Sequence, residues 1–248
     1  MKTTGNTILI TGGGTGIGRG LAEAFHALDN RVIIAGRRQR TLDAVTAANP
    51  GMSSLTVDLQ NAASIRSLAD RLAIGHPALN VVIHNAGIQR AEDWNAPHVN
   101  PADAEAVIHT NLLGPIRLTA ALLPLLRKQP ASVLMTVPSG LAFVPMATVP
   151  TYCATKAAIH SYTQSLRHQL KGTTTEVIEL IPPYVATELM SGGSANPRAM
   201  PLDKFIAEVM DVLKTQPTVA EICVENVKAL RFVERGAYDA VFQRLNGA

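Results

Sequence analysis

A glycine-rich turn after the first apolar segment constrains the fold of this chain more than any other feature. Residues Thr11 to Gly18 carry the pattern T-G-x-x-x-G-x-G, between an apolar segment and a helical pattern. Glycines permit a tight turn and a close approach of backbone N–H groups to a phosphate, which the positive end of the next helix also attracts. Such a turn can be purely structural, but its position between a strand and a helix favours binding of a dinucleotide pyrophosphate.

Short apolar segments alternate with longer segments of helical spacing along most of the chain. The predicted strands are residues 7–11, 31–35, 54–57, 81–84, 132–137 and 176–181. The predicted helices are residues 18–28, 41–48, 64–73, 102–126, 152–170 and 202–213. Continuously apolar strands are typical of parallel sheets covered on both faces. We therefore predict the α/β fold class: a single doubly wound Rossmann-type domain over residues 1–248, with a parallel sheet of about seven strands flanked by helices on both faces.

Composition and charge exclude several classes of partner. Lysine and arginine number 22 against 19 acidic residues, without a basic block, which argues against a nucleic-acid or membrane footprint. No stretch reaches the roughly 18 to 20 consecutive apolar residues that a membrane-spanning helix needs. Cys153 and Cys223 lack a C-x-x-C spacing and the 7 histidines are scattered. We therefore expect a cytoplasmic protein with no disulfide and no metal site.

The end of the second predicted strand bears on the choice of dinucleotide. A site for NAD normally has an acidic residue there, which bonds the ribose hydroxyls. This chain has Arg37 and Arg38 instead, and guanidinium groups can bind the 2′-phosphate of NADP. NADP(H) is therefore preferred and NAD(H) is possible, with a solvated helix start as the alternative role of the two arginines. Asp58, just past the third strand, is placed to touch the adenine edge unless it only caps a helix.

The segment 185–201 interrupts the alternation of strands and helices. It contains Ser191-Gly192-Gly193-Ser194 and Pro197, after a predicted strand and before a predicted helix. Ligands of doubly wound folds bind beyond the carboxyl ends of the strands, so residues 185–215 are a candidate substrate loop or lid. An ordinary surface loop is the alternative.

Four motifs in order give the chain its family resemblance. With the glycine pattern, Asn85-Ala86-Gly87 after the fourth strand, a serine after the fifth and Tyr152-x-x-x-Lys156, the chain resembles the short-chain dehydrogenase/reductases from about residue 7 to residue 187. The resemblance implies hydride transfer between a nicotinamide and a carbonyl or secondary alcohol. It also implies a homodimer or homotetramer, through the helices at 102–126 and 152–170. The implied cofactor-binding residues are Gly12, Gly14, Thr15, Gly16, Ile17, Gly18, Arg37, Arg38, Asp58, Leu59, Asn85, Ala86, Gly87, Tyr152, Lys156, Pro182, Val185 and Thr187.

The resemblance assigns catalytic roles to Ser139, Tyr152, Lys156 and Asn111. Tyr152 would be the general acid/base, Ser139 would bond the substrate oxygen, and Asn111 would hold a water that links the lysine to solvent. Tyr152 and Lys156 are four residues apart, so they share one face of a helix. Lowering the pKa of a phenol from about 10 to about 7 needs around 4 kcal/mol. An ammonium about 4 Å away supplies about that much, so we expect Lys156 to lower the pKa of Tyr152. For Asn111, stabilisation of a local helix kink is the alternative.

Other residues define a narrower resemblance and the remaining alternatives. Pro182-Pro183, where many family members have Pro-Gly, and the tail 221–245 are similar to the DltE-like oxidoreductases of bacteria. Gln89, Arg90 and Trp94 are candidates to line the substrate cleft, although Trp94 also fits a surface contact. A protein that senses NADP(H) without catalysis is the alternative function. Such proteins can lose the tyrosine or the lysine, and both are present here.

Overall fold

Seven parallel strands form one sheet in the computed structural model, which describes residues 1–190 and 192–247. The strands are β1 Thr7–Thr11, β2 Arg31–Gly36, β3 Ser53–Thr56, β4 Val81–His84, β5 Ser132–Thr136, β6 Thr175–Ile181 and β7 Glu221–Cys223. The helices are α1 Gly16–His26, α2 Gln39–Ala48, α3 Ala62–Gly75, α4 Ala102–Ile108, α5 Gly114–Leu126, α6 Pro150–Gln169, α7 Leu202–Thr215, α8 Lys228–Arg231 and α9 Tyr238–Asn246. The α/β fold class and the doubly wound parallel sheet are therefore confirmed.

The central strands are buried on both faces because neighbouring side chains point into two different core layers. In β1, Ile8 and Ile10 pack in one layer with Phe25 of α1, and Leu9 packs in the other with Leu118 of α5. Side chains alternate across a strand, so a strand between two helix layers must be apolar at every position. This is why the sequence shows continuous apolar runs rather than alternation.

The strands lie in the order β3-β2-β1-β4-β5-β6-β7 across the sheet. The chain adds β2 and β3 on one side of β1 and then adds β4 to β7 on the other side. β1 and β4 pair in parallel, with Ile10 opposite Ile83. In open sheets of this kind the loops that leave such a neighbouring pair turn to opposite faces, and a crevice opens beyond their carboxyl ends. The glycine-rich turn after β1 and Asn85 after β4 therefore lie side by side at that crevice.

The long helix predicted over 102–126 is interrupted, which corrects that prediction. Residues His109–Leu113 form one π-helical turn between α4 and α5. Pro115, at the start of α5, has no N–H to donate to the carbonyl of Asn111, and a regular α-helix would press its ring against that carbonyl. A widened turn relieves this conflict and carries Asn111 into the interior, where it is 3% exposed.

The same stretch, Ala102–Leu126, is long and apolar enough to cross a membrane by length and composition, and its most apolar 18-residue window has a mean hydropathy of 1.3. It is not a continuous apolar run, because His109, Asn111 and Arg117 interrupt it. Leu118, among others, faces the core layer that covers one side of the sheet. Packing in this core accounts for part of the apolar composition, because 44% of that window is buried.

The carboxyl-terminal tail extends the sheet and returns to the strand ends. β7 pairs with β6, with Ile222 opposite Leu180. Arg231 of α8 donates two hydrogen bonds to the Glu221 carboxylate, at 2.8 and 2.9 Å. Asn246, at the end of α9, donates to the carbonyl of Pro145 at 3.2 Å. The tail is therefore held against the loop between β5 and α6.

Candidate active site

A cleft of about 830 Å³ lies at the carboxyl ends of the strands, and most of the predicted site residues line it. The predicted residues in its lining are Gly12, Gly14, Thr15, Gly16, Ile17, Arg37, Arg38, Asp58, Leu59, Asn85, Ala86, Gly87, Ser139, Tyr152, Lys156, Pro182, Val185 and Thr187. Gly18 and Asn111 are the predicted site residues that are not part of this lining. Residues from the first strand loop to the sixth therefore share one cavity of the size that small-molecule ligands need.

The glycine-rich turn has the backbone of an anion cradle. Gly12 and Gly16 have φ angles of 70° and 53°, in the left-handed region that glycine tolerates best. A Cβ atom on Gly12 would lie 2.9 Å from Cα of Ala86, so the turn can approach the β4 loop only with glycine at this position. Among the described residues, no side chain caps the amino terminus of α1. Its first N–H groups thus remain available, and this end of the cleft fits a dinucleotide pyrophosphate.

Gly18 serves packing rather than the cleft wall, which corrects its predicted role. A Cβ atom there would lie 2.4 Å from both Nδ2 of Asn85 and the carbonyl oxygen of Gly12. The Asn85 amide in turn donates to the carbonyl of Thr11 at 3.0 Å. The hydroxyl of Thr11 accepts from the backbone N–H groups of Asn85 and Ala86, each at 3.1 Å. Gly18 lets α1 close over this junction between the two loops.

The other end of the same cleft carries the two arginines and Asp58. Arg37 and Arg38 are exposed and line the cleft just beyond β2. Asp58 does not cap α3, because Asn61 does so by accepting from two backbone N–H groups of its first turn. The Asp58 carboxylate accepts from the backbone N–H of Gln60 at 3.0 Å and faces the cleft. Arg37, Arg38 and Asp58 therefore lie at the end of the cleft near β2 and β3, away from β5.

Ser139, Tyr152 and Lys156 meet at the β5 side of the cleft. Nζ of Lys156 lies 5.5 Å from the ring centroid of Tyr152 and donates to the carbonyl of Val137 at 2.7 Å. Oγ of Ser139 accepts from the backbone N–H of Leu141 at 3.2 Å, which leaves its own hydrogen free to donate to another group. The three side chains are each less than a tenth exposed and come from two elements, the β5 loop and α6. A phenol, a hydroxyl and an amine thus converge on one point.

Burial sets the acidities at this point. It raises the pKa of the Tyr152 phenol above its usual value, and the Ser139 hydroxyl beside it acts in the opposite direction. Burial also lowers the pKa of Lys156 to about 8. Within the chain itself, loss of water around the phenolate is the largest effect on the pKa of Tyr152, so the lowering by Lys156 that the spacing predicts stays a prediction. Tyr152 is held protonated, as a proton donor must be.

Asn111 acts on the backbone of the β4 loop. Its side chain accepts from the N–H of Ile88 and donates to the carbonyl of Ile88, both at 2.9 Å. A Cβ atom on Gly87 would lie 3.4 Å from Oδ1 of Asn111 and 3.7 Å from Nζ of Lys156. The π-turn and the amide together fix the loop between the cofactor end and the tyrosine, and the role of Asn111 in holding a water stays a prediction.

Glu92 fixes the start of the helix that carries Tyr152, and sequence reasoning missed it. Its carboxylate accepts from the backbone N–H and from the hydroxyl of Thr151, both at 2.9 Å. An acid at a helix amino terminus stabilises the unpaired N–H groups there. Glu92 lies 59 residues before Thr151, outside any local capping pattern, so only the folded chain reveals the contact.

Replacing Glu92 with glutamine should lower the free energy of unfolding by about 1 to 2 kcal/mol, because the helix cap loses its charge and one acceptor. Thermal unfolding followed by circular dichroism measures the change. The control is Glu23→Gln, which removes only an exposed i,i+4 contact with Arg19 and should cost about 0.5 kcal/mol or less. Equal shifts in the two variants would contradict the capping role.

The segment after β6 folds back on itself over the glycine-rich turn. The backbone N–H of Met200 donates to the carbonyl of Tyr184 at 2.8 Å, and Ala186 donates to the carbonyl of Met200 at 2.9 Å. These contacts close the base of a loop that includes the predicted flexible residues, of which Ser191 lies outside the described residues. A Cβ atom on Gly16 would lie 3.3 Å from Cγ2 of Thr187, so this loop reaches the phosphate end of the cleft.

Three further side chains, all close in sequence to the site motifs, lie outside the cleft. His84 is buried with Nε2 bonded to the hydroxyl of Thr119 at 2.9 Å, and burial lowers its pKa to about 4. Cys153 turns away from the cleft toward the backbone of Met146, and burial raises the pKa of its thiol. Trp94 is 67% exposed and does not line the cleft, whereas Gln89 and Arg90 do.

Among the described residues, His160, Glu179 and Glu221 form a group with potential metal-ligand atoms within 4.8 Å of one another. Each carboxylate already has a cationic partner. Glu179 lies 3.3 Å from Arg167, and Glu221 is bonded by Arg231. This group is an ion-pair network that joins α6 to β6 and β7.

Comparison with known proteins identifies the class that this fold and cleft define. Residues 6–197 match the family model described as short chain dehydrogenase. The chain belongs to the short-chain dehydrogenase family. It is 38% identical to the uncharacterized oxidoreductase DltE of Bacillus subtilis (strain 168), over 99% of this chain and 98% of that protein, so the DltE-like resemblance is confirmed.

Two solved structures have the same fold across nearly their whole length. A short-chain dehydrogenase from Burkholderia cenocepacia J2315, in complex with NADP, has a TM-score of 0.82 and 23% identity, covering 98% of this chain and 99% of that one. A short-chain dehydrogenase/reductase from Burkholderia phymatum, in complex with NAD, has a TM-score of 0.81 and 19% identity, covering 97% and 96%. The chain is therefore an oxidoreductase of this family with an NAD(P)-binding Rossmann fold.

Proposed function

We propose that this protein is an NADP(H)-dependent oxidoreductase that transfers hydride between the nicotinamide and a carbonyl or secondary alcohol, with Tyr152 as general acid/base. The observation that carries the proposal is that one cleft joins an anion cradle at Gly12 and Gly16 to a buried phenol, hydroxyl and amine. Binding alone would not need the phenol and the amine at the end of such a cleft.

The arginines beyond β2 support NADP(H) as the preferred cofactor, with NAD(H) as the less favoured one. Arg37 and Arg38 place two cations in the cleft wall, where a 2′-phosphate would find charge-assisted hydrogen bonds. Asp58 lines the same cleft and would bond the adenine. When bound, the cofactor supplies the hydride and, in its oxidised form, a positive charge that stabilises a nearby phenolate.

The protein itself supplies the proton and binds the substrate oxygen. In reduction, Tyr152 donates its proton to the carbonyl oxygen, and the free hydroxyl hydrogen of Ser139 bonds the same oxygen as negative charge develops. Lys156 balances the phenolate that remains and holds ribose hydroxyls at the cofactor end. Asn111 keeps the β4 loop and an adjacent water in place for reprotonation. Thr187, Val185 and Pro182 would position the carboxamide of the nicotinamide.

Carbonyl reduction should slow as the pH rises through about 8, where Lys156 loses its proton. Tyr152 keeps its proton in this range because burial raises its pKa. We expect kcat/KM to be level below about pH 7 and to fall by up to about tenfold for each pH unit above 8. Lys156→Arg keeps its charge and should show no such fall, even at a lower absolute rate. A level wild-type profile up to about pH 9.5 would contradict this role of Lys156.

The proposal also covers the oligomeric state, the cellular compartment and the loop after β6. Half-buried Ile116, Leu123 and Leu125 of α5 support a homodimer or homotetramer, and two free cysteines fit a reducing cytoplasm. Within the predicted range 185–215, the loop up to Met200 would act as a lid that closes over a small-molecule substrate, because its base is fixed while its tip carries glycines. The rest of the range is α7, whose Phe205 and Val209 are buried in the core.

The absorbance of NADPH at 340 nm, followed with a panel of aldehydes, ketones and quinones, tests the function. We expect carbonyl-dependent oxidation of NADPH by the wild-type protein. Tight NADPH binding without turnover of any member would overturn the enzyme and favour the sensing protein instead.

A further inference from the structure

The carboxyl-terminal tail contributes residues to the lining of the cleft, and the family motifs assign no role to them. Leu230 of α8 and Arg244 and Leu245 of α9 line the cleft, and together they are called the carboxyl-terminal wall. Leu230 packs against Gly140, because a Cβ atom on Gly140 would lie 2.9 Å from its Cδ1. Leu230 of this wall therefore packs against the residue that follows Ser139.

Arg244 belongs to the catalytic end of the cleft rather than to the adenosine end. Two residues further along α9, the Asn246 side chain donates to the carbonyl of Pro145 and accepts from the backbone N–H of Ala147. Both partners lie in the loop between Ser139 and Tyr152. α9 is thus anchored beside the phenol and the hydroxyl, and Arg244 faces the same cavity.

Positive charge predominates at this end of the cleft. Beyond Arg37, Arg38 and Asp58 at the adenosine end, and Lys156, the charged residues that line the cleft are Arg90, Glu188, Arg198 and Arg244. Arg90 lies 3.6 Å from the Asp103 carboxylate, and Glu188 accepts hydrogen bonds from Gly192 and Ser194 of its own loop. Within residues 1–190 and 192–247, neither Arg198 nor Arg244 takes part in an ion pair. Arg198, in the loop after β6, and Arg244, in α9, therefore line the cavity without an ion-pair partner among these residues.

Most of the lining outside the family motifs is apolar, with Gln89 and Asn196 as polar members. The large apolar and aromatic members are Leu141, Met146, Tyr184, Leu189, Met190, Leu230 and Leu245. Tyr184, Leu189 and Met190 are each about two-fifths exposed, at 41%, 42% and 38%, so the loop after β6 presents an apolar surface toward the cleft mouth. Such a surface gains from covering the body of an apolar ligand.

We propose that the substrate is a carbonyl compound with an apolar body and an anionic oxygen group, carboxylate or phosphate, which pairs with Arg244 and Arg198. The inference rests on the proposed function and names its substrate class. A guanidinium presents parallel N–H donors that match the oxygens of either anion. The anion would hold the far end of the substrate while the carbonyl lies at Ser139 and Tyr152.

The test compares carbonyl compounds of one skeleton in three forms: the carboxylate, the phosphate monoester of the corresponding alcohol, and the neutral methyl ester. Aromatic and aliphatic aldehydes and ketones supply the skeletons, and NADPH oxidation is the readout. We expect kcat/KM for at least one anionic form to exceed that of the methyl ester by about tenfold or more, and this preference to shrink at high salt. The preferred form tells carboxylate from phosphate.

Variants assign the preference to the two arginines. Arg244→Gln and Arg198→Gln should each reduce the anionic preference by about tenfold, mainly through KM, and leave the methyl ester and NADPH binding unchanged. Arg244→Lys should restore part of the preference. Arg235→Gln is the matched control, because Arg235 is exposed in the same tail and does not line the cleft.

The outcomes separate this inference from the proposed function. Absence of turnover with every compound would overturn the function and this inference with it. Turnover in which methyl esters equal or exceed the anions would overturn the inference alone. The inference is also overturned if Arg244→Gln and Arg198→Gln keep the anionic preference and weaken NADPH binding instead.

Discussion

Tyr152→Phe is expected to reduce carbonyl turnover by about three orders of magnitude, because the substrate oxygen loses its proton donor at the moment it becomes an alkoxide. The ring fills the same space, so packing against Val107 and Val149 persists. NADPH affinity, measured by fluorescence titration, should stay within about twofold of the wild-type value, a change of less than 0.5 kcal/mol. Initial rates at saturating NADPH give the loss in kcat.

The neighbouring residue provides the control for this variant. Cys153→Ala alters the same helix turn, but the thiol faces the backbone of Met146 and not the cleft. It should lower stability and leave kcat close to the wild-type value. Turnover by Tyr152→Phe at the wild-type rate would remove Tyr152 from the chemistry, whatever the fold.

The double variant Arg37→Gln, Arg38→Gln should reverse or abolish the preference for NADPH over NADH. Each lost charge-assisted contact with a 2′-phosphate weakens binding by about tenfold, so kcat/KM for NADPH should fall by up to about a hundredfold. NADH has no 2′-phosphate, and its kcat/KM should change little. Steady-state kinetics with both cofactors and one carbonyl substrate measure the ratio.

Arg40→Gln is the matched control for the cofactor prediction. Arg40 is exposed in the first turn of α2, next to the two arginines, but it does not line the cleft. Its loss should leave both cofactors unaffected. A wild-type protein that uses NADH better than NADPH at equal concentration would contradict the assignment before any variant is made.

The sheet could be predicted from the sequence because each central strand must be apolar on both faces. The strands at residues 7–11 and 81–84 are confirmed on that ground, and the glycine-rich turn locates the start of α1. The position of β7 could not be predicted in this way. It has three residues, of which only Ile222 is fully buried, so no apolar run marks it.

For the candidate site as well, the features that depend on local sequence could be predicted, and those that depend on contacts between distant segments could not. The turn, Asn85 and the pair Tyr152 and Lys156 carry their spacing in the sequence. The cap from Glu92 and the position of Arg244 depend on how separate segments fold together. No local pattern encodes contacts between residues so far apart in the chain.

Local patterns also gave wrong details where packing decides. Gly18 matches a phosphate-binding pattern, yet its neighbour is the amide of Asn85. The continuous helix predicted over 102–126 ignored the effect of Pro115 on the turn before it. Burial raises the pKa of Tyr152, and the four-residue spacing to Lys156 does not reveal that effect.

The central claim is that hydride passes directly from NADPH to the carbon of a carbonyl group in this cleft. Reduction of an accepted substrate with NADPH deuterated at the transferring C4 position, followed by mass spectrometry and NMR of the product, tests it most directly. The account predicts one deuterium on the former carbonyl carbon for each NADPH oxidised. Consumption of NADPH without deuterium in the product alcohol would contradict it.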